Sequence, residues 1–202
     1  MRDFFSAKIC VVLVSLIYLL LSCDETTSKN EDLVSLIPQN TDIILRINDI
    51  NSIKNKFQND ELLKNLYFPR DVKLKVKNLV NDSLNNQIIA FSNFGKEEKA
   101  ITVIHKRTKD SSYLKYEKII YSGKPIFKFK VGDTEFYKTF IQNNTIVGDS
   151  RIIIENCIRN HQQQKKGIND DNFNEIIGTA DQDSGINLFL KGDPKLVGNS
   201  IF

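Results

Sequence analysis

Tryptophan is absent from this 202-residue chain, methionine stands only at position 1, and histidine and cysteine are scarce, at two and three. Each shortage excludes something. A metal site built from the chain's own histidines would need more of them at usable spacing, and the sole pairing of a histidine with another histidine or cysteine at helical spacing is Cys157 with His161, four residues apart. No apolar run reaches the ~20 residues that a membrane-crossing helix needs. Neither sign of charge dominates, with 28 Lys and Arg against 25 Asp and Glu, so a nucleic-acid partner is not expected. The wealth of Asn, Ile and Lys reads as AT-rich coding rather than as function.

The first residues are organised differently from the rest. Arg2 and Lys8 precede an apolar run from Ile9 to Leu21, and small Ser22 then precedes Cys23. That is the layout of a secretory signal, and Asp24-Glu25 follows at once, which suits cleavage better than membrane spanning. Leu20-Leu21-Ser22-Cys23 resembles the bacterial lipobox. The resemblance implies a signal peptide over residues 1–22, cleavage between Ser22 and Cys23, and lipidation of Cys23, including an amide-linked fatty acid such as palmitate. The membrane is then a partner through the anchor. Three acyl chains bind firmly, since each buried methylene contributes about 0.8 kcal/mol. Cys10 leaves with the signal, so Cys157 is the only unmodified cysteine and an intramolecular disulfide is excluded. Losing Arg2, Asp3 and Lys8 lowers the formal charge from +3 to +2.

Residues 23–31 are polar and without apolar periodicity, and read as a flexible tether. From residue 32 to 202 the pattern predicts one exported domain, long enough to bury a core without staples. A short helix at 32–36 stopped by Pro38 leads to a strand at 41–48. Helices are predicted at 49–57, 60–66 and 71–81, the last with Val72, Leu74 and Val76 also fitting a strand. Six strands follow, at 87–92, 100–106, 116–122, 125–131, 135–141 and 145–148. Ser122-Gly123, Gly132-Asp133 and Asn143-Asn144 supply turn residues that tolerate positive φ, so an antiparallel meander is expected. Asp149 or Ser150 caps a helix with Ile154, Cys157, Ile158 and His161 on one stripe and Gly167 at its end. A helix at 172–179 and a strand at 186–190 complete an α+β fold, an antiparallel meander sheet with helices packed on one face. Asp193-Pro194 starts a helix with eight residues left after Pro194, so the expectation is a chain truncated at its carboxyl end.

The segment Ile37–Leu66, with its strand ending Arg46-Ile47-Asn48-Asp49, and the segment from Glu135-Phe136-Tyr137 through Asn144-Thr145-Ile146-Val147-Gly148-Asp149-Ser150 are similar to units of a group of exported lipoproteins of flavobacteria and relatives (Bacteroidota). The group has no established activity. What the resemblance implies is a cell-envelope location, with the outer membrane favoured over the inner.

Candidate chemistry is sparse. His105 follows Ile101 and Val103 on one strand face, which fits burial, but Lys106-Arg107 beside it suggests a strand end that meets solvent, and His161 closes a helical stripe where it favours the helix C-terminus. Cys157 shares that stripe with isoleucines and reads as a small core hydrophobe. Asp181-Gln182-Asp183-Ser184-Gly185 resembles the start of a calcium loop, but its glycine is one place early and its twelfth position is Gly192, so a polar turn is expected. Lys73-Leu74-Lys75-Val76-Lys77 reads as an element with one solvated face. No nucleophile elbow, paired-histidine zinc helix or phosphate-cradling loop occurs. No catalytic residue, metal or cofactor is therefore expected, and the function expected is non-catalytic binding or scaffolding, through a protein partner, by a membrane-anchored envelope lipoprotein. The alternative is an exported hydrolase whose catalytic part lies in a region missing after Phe202.

Overall fold

The structure, a computed structural model, describes residues 31–51, 70–95, 98–108, 115–165, 168, 171–181 and 183–191. The chain divides into two compact units, Met1–Glu31 and Asp32–Phe202. The expected signal peptide at 1–22 with its cleavage site at Ser22 and Cys23, nearly all of the expected tether, the predicted 60–66 helix and most of the predicted 49–57 helix lie outside the described residues.

The second unit is built on one eight-stranded antiparallel sheet. Its elements in chain order are α1 (Glu31–Val34), β1 (Thr41–Ile47), α2 (Arg70–Leu79), β2 (Gln87–Phe94), β3 (Glu98–Lys106), β4 (Glu117–Tyr121), β5 (Lys124–Val131), β6 (Thr134–Ile141), β7 (Asn144–Gly148), α3 (Arg151–Gln162), α4 (Asp171–Thr179) and β8 (Ile186–Leu190). The α+β assignment and the antiparallel sheet thus stand. The spatial order is β4-β5-β6-β7-β3-β2-β1-β8. Two meanders, β1–β3 and β4–β7, meet where β3 pairs with β7, and β8 returns from the far end of the chain to pair with β1.

Turn chemistry makes the local hairpins. Ser122 and Gly123 both have positive φ, 48° and 75°, and Gly132 has φ 60°, which is the geometry that two-residue hairpin loops require. In the β6–β7 turn the positive φ belongs to Gln142, at 52°, one place before the Asn143-Asn144 pair expected to supply it.

The central strands β1, β2, β3 and β7 bury both faces of the sheet, because successive side chains on a strand point to opposite sides. On one face Ile44, Ile88, Ala90, Ile104 and Ile146 pack with Ile153, Ile154, Cys157 and Ile158 of α3, Ile177 of α4 and Leu33 of α1. On the other, Ile43, Leu45, Ile89, Phe91, Val103 and Val147 pack with Leu79, Val72 and Val76 of α2. The expectation of helices on one face is corrected here: α2 joins the opposite cluster from α3 and α4. The physical cause is visible in β2 and β3, where six consecutive residues are buried in each strand, so neither face is left for water.

Where β7 ends, its backbone comes unusually close to β3. A Cβ on Gly148 would lie 2.7 Å from the Ile101 carbonyl oxygen and 3.2 Å from Thr102 Oγ1, so only glycine fits. The next residue, Asp149, donates its N–H to Ile101 O at 3.2 Å and accepts the Ile101 N–H on Oδ1 at 2.8 Å. Its other oxygen meets Lys75 Nζ of α2 at 2.9 Å. Asp149 is therefore occupied with β3 and does not cap α3. Ser150 holds the N-cap position, extended at φ −124°, but its hydroxyl makes no cap bond.

Helix α3 closes by the Schellman pattern. Gln164 N–H donates to His161 O at 3.1 Å, and Lys165 N–H donates to Asn160 O at 2.9 Å. The left-handed position, φ 54°, falls on Gln164 rather than on a glycine. Gly167, the expected stop, lies outside the described residues.

Candidate binding surface

The register of β4, β5 and β6 collects aromatic and cationic side chains on the α2 side of the sheet. Lys118 pairs with Phe127, which pairs with Lys138; Phe129 pairs with Phe136. Tyr116, just before β4, meets Phe127 edge-on at 6.0 Å and Phe129 at 5.6 Å between centroids, and Phe127 meets Phe140 at 5.8 Å. These T-shaped and tilted contacts are the arrangements that ring quadrupoles favour.

Lys138 stands amid these rings. Its Nζ is 4.4 Å from the Tyr116 centroid, 5.7 Å from Phe140 and 5.9 Å from Phe129, and it donates to the Tyr116 hydroxyl at 2.8 Å. The Arg107 guanidinium lies 4.3 Å from the Phe140 centroid. Each such contact contributes about 0.5–1 kcal/mol at a partly exposed site. Phe129 and Phe136 are buried, whereas Tyr116, Phe127, Lys138 and Phe140 are half-buried and Arg107 and Lys118 are exposed. Among the described residues of β4–β6 on this face none is acidic.

No protein family, curated protein or solved structure matches this chain. The surface must therefore be read from its own chemistry. It is amphipathic and cationic, with rings for apolar contact and the exposed cations Arg107 and Lys118 beside them.

His105 borders this surface. It pairs with Thr145 on β7 and is buried, and its Nδ1 donates to the Lys106 carbonyl at 2.7 Å. Burial lowers its pKa below 6.5, the backbone bond opposes that, and the Lys138 charge adds to the lowering. It is a neutral core histidine rather than the solvent-facing strand end that Lys106-Arg107 suggested. His161 is half-buried in the last turn of α3. Cys157 is fully enclosed, its Sγ 3.8 Å from Leu36 O, and desolvation pushes the thiol up to about 12, which keeps it protonated and unreactive. Cys157 and His161 do not form a metal site with a third ligand, and among the described residues no group of three His, Cys, Asp or Glu gathers.

The segment resembling a calcium loop is a turn: Asp181 Oδ1 accepts the Asp183 N–H at 2.9 Å, and Ser184 Oγ donates to Ile186 O at 2.9 Å. On α2, Lys73 and Lys77 are exposed while Val72 and Val76 pack against the sheet, so these two lysines form a solvated helix face and Lys75 reaches Asp149 instead. On the other side of β5 and β6, Lys128 and Lys130 meet Glu135 at 3.0 and 3.4 Å. The Lys128 hydrogen bond lowers the Glu135 pKa, and the same bond raises that of Lys128.

The aromatic and cationic surface was not foreseen from the sequence. The Phe-Lys-Phe alternation of β5 marked a strand, but only the cross-strand register puts Lys138 between the rings of β5 and Tyr116. No described helix is long and apolar enough to cross a membrane.

Proposed function

We propose that this chain is a lipid-anchored envelope protein whose α+β domain works by binding or scaffolding rather than by catalysis. The observation that carries the binding half is the surface around Lys138: half-buried rings offering apolar contact, flanked by exposed Arg107 and Lys118, with no acidic residue among the described residues of β4–β6 on that face. Its chemistry suits a protein partner with an acidic rim. The anchor half is supported by Leu20-Leu21-Ser22-Cys23 after a basic and then an apolar stretch. The outer membrane is the favoured location. Asp24 would favour the inner membrane under proteobacterial sorting, but acidic residues after the cysteine accompany export in the lipoproteins that the sequence resembles.

Labelling cells with an alkyne palmitate and fractionating their membranes tests the anchor. Wild type should carry label in the outer-membrane fraction and Cys23→Ala should carry none. Equal labelling of the two chains would remove the anchor, and recovery of labelled wild type only from the inner membrane would remove the sorting alone. Turnover of any substrate in an esterase, peptidase and glycosidase panel, lost on no contaminant control, would overturn the non-catalytic half.

A further inference from the structure

The two edges of the sheet are unlike. β4 contains Glu117 and Lys118, and a charge on an edge strand is a common guard against pairing with another chain. β8 reads Ile-Asn-Leu-Phe-Leu, with no charge, no proline and an unbroken register against β1. Leu188 and Leu190 are 37% and 38% exposed.

Among the described residues, the ladder shows which backbone groups of β8 turn to β1 and which turn away from it. Lys191 N–H donates to Asp42 O at 2.7 Å, and Asn48 N–H donates to Gly185 O at 3.0 Å. In an antiparallel pair the bonded positions alternate, so Asn187 and Phe189 turn their backbone groups to β1. Ile186, Leu188 and Leu190 turn theirs outward. Of these groups only the Ile186 carbonyl has a described acceptor role, from the Ser184 hydroxyl at 2.9 Å.

We propose that β8 is the strand through which two copies of this chain pair, antiparallel, about a two-fold axis at Leu188. That register sets Leu188 beside the copy's Leu188, Ile186 beside the copy's Leu190, and Asn187 beside the copy's Phe189. Every pairing is free of charge and the outward N–H and C=O groups meet one another. The segment is therefore complementary to itself, which selects a second copy over an unrelated strand, and a two-fold contact closes at a dimer and consumes the edge. β4, which carries Glu117 and Lys118, stays solvated. The inference is independent of the anchor and of the Lys138 surface.

Sedimentation equilibrium of the full chain in density-matched detergent tests it. Wild type should approach twice the chain mass as the concentration rises well above a Kd on the order of micromolar. Leu188→Lys puts like charges opposite each other at the axis and should weaken association at least about tenfold, with circular dichroism unchanged. If that variant does not fold, Leu188→Cys should cross-link to its copy under oxidation above the wild-type background, whereas Asn187→Cys, which faces the copy's Phe189, should not. A monomeric wild type overturns the proposal and leaves the edge to another protein's strand. A dimer that survives Leu188→Lys, equal cross-linking of the two cysteine variants, or open-ended assembly overturns it too.

Discussion

Two Gly→Ala substitutions in this domain should act with opposite sign. At Gly148 the added Cβ would sit 2.7 Å from a carbonyl oxygen that cannot move away, because Ile101 O accepts the Asp149 N–H and β3 is held on its other side by β2. β7 must back off. Overpacking of this kind costs about 1–3 kcal/mol, and weakening the Ile101–Asp149 exchange adds about 1 kcal/mol, so Gly148→Ala should lose about 2–4 kcal/mol. For a domain of this size that is a fall in Tm of about 4–16 °C. At Gly178, on α4, a Cβ meets nothing within 4 Å. There, alanine should gain up to about 1 kcal/mol through helix propensity, less because the site is near the helix end. Urea denaturation of both variants, with m unchanged, measures the pair. A Gly148→Ala chain within about 0.5 kcal/mol of wild type would refute the close approach, since that is the spread of ordinary surface changes.

Gln164→Gly should stabilise the chain by about 1 kcal/mol, because a left-handed residue with a Cβ carries a cost of about 1–2 kcal/mol that glycine avoids; a loss of stability in the same denaturation assay would show that the Gln164 side chain matters more than its φ. His105 has a folded pKa below its unfolded value of ~6.5, so its contribution is intact above about pH 6.5 and is lost as pH falls through the window beneath it. Thermal midpoints between about pH 7 and 5 should therefore drop more for wild type than for His105→Phe, and parallel curves would show that other groups dominate.

The strands were legible because their apolar residues come in runs with turn residues between them. All eight were placed from sequence, and the helices at 71–81 and 172–179 were close to α2 and α4. Two-sided burial was also written there, in Ile88-Ile89-Ala90-Phe91 and Ala100-Ile101-Thr102-Val103-Ile104, runs too continuous for a half-solvated sheet; reading them as ordinary alternation led to helices on a single face. Strand order was not legible. The β3–β7 and β1–β8 pairings join segments far apart in the chain, and no local pattern distinguishes them from other antiparallel partners. Side chains that depend on those pairings, such as Asp149 with Ile101 and Lys75, were lost for the same reason. The Lys138 surface was missed because it depends on which residues stand opposite one another, and alternation within one strand says nothing about its neighbour.

The pairing of β8 with β1 also has a meaning in time. Ile43 through Ile47 emerge early in synthesis and find β2 soon afterwards, but their other neighbour is not made until the chain has grown past Leu190. Closing a loop that long carries more entropy than closing a hairpin, and contacts of such separation are slow to form. The two meanders can assemble from nearby residues while the β1 edge stays bare, with Ile43, Leu45 and Ile47 supported from one side only. A product that stopped before Ile186 would keep that edge open throughout its life, so the arrival of five late residues decides whether an early strand is an interior one or an adhesive rim.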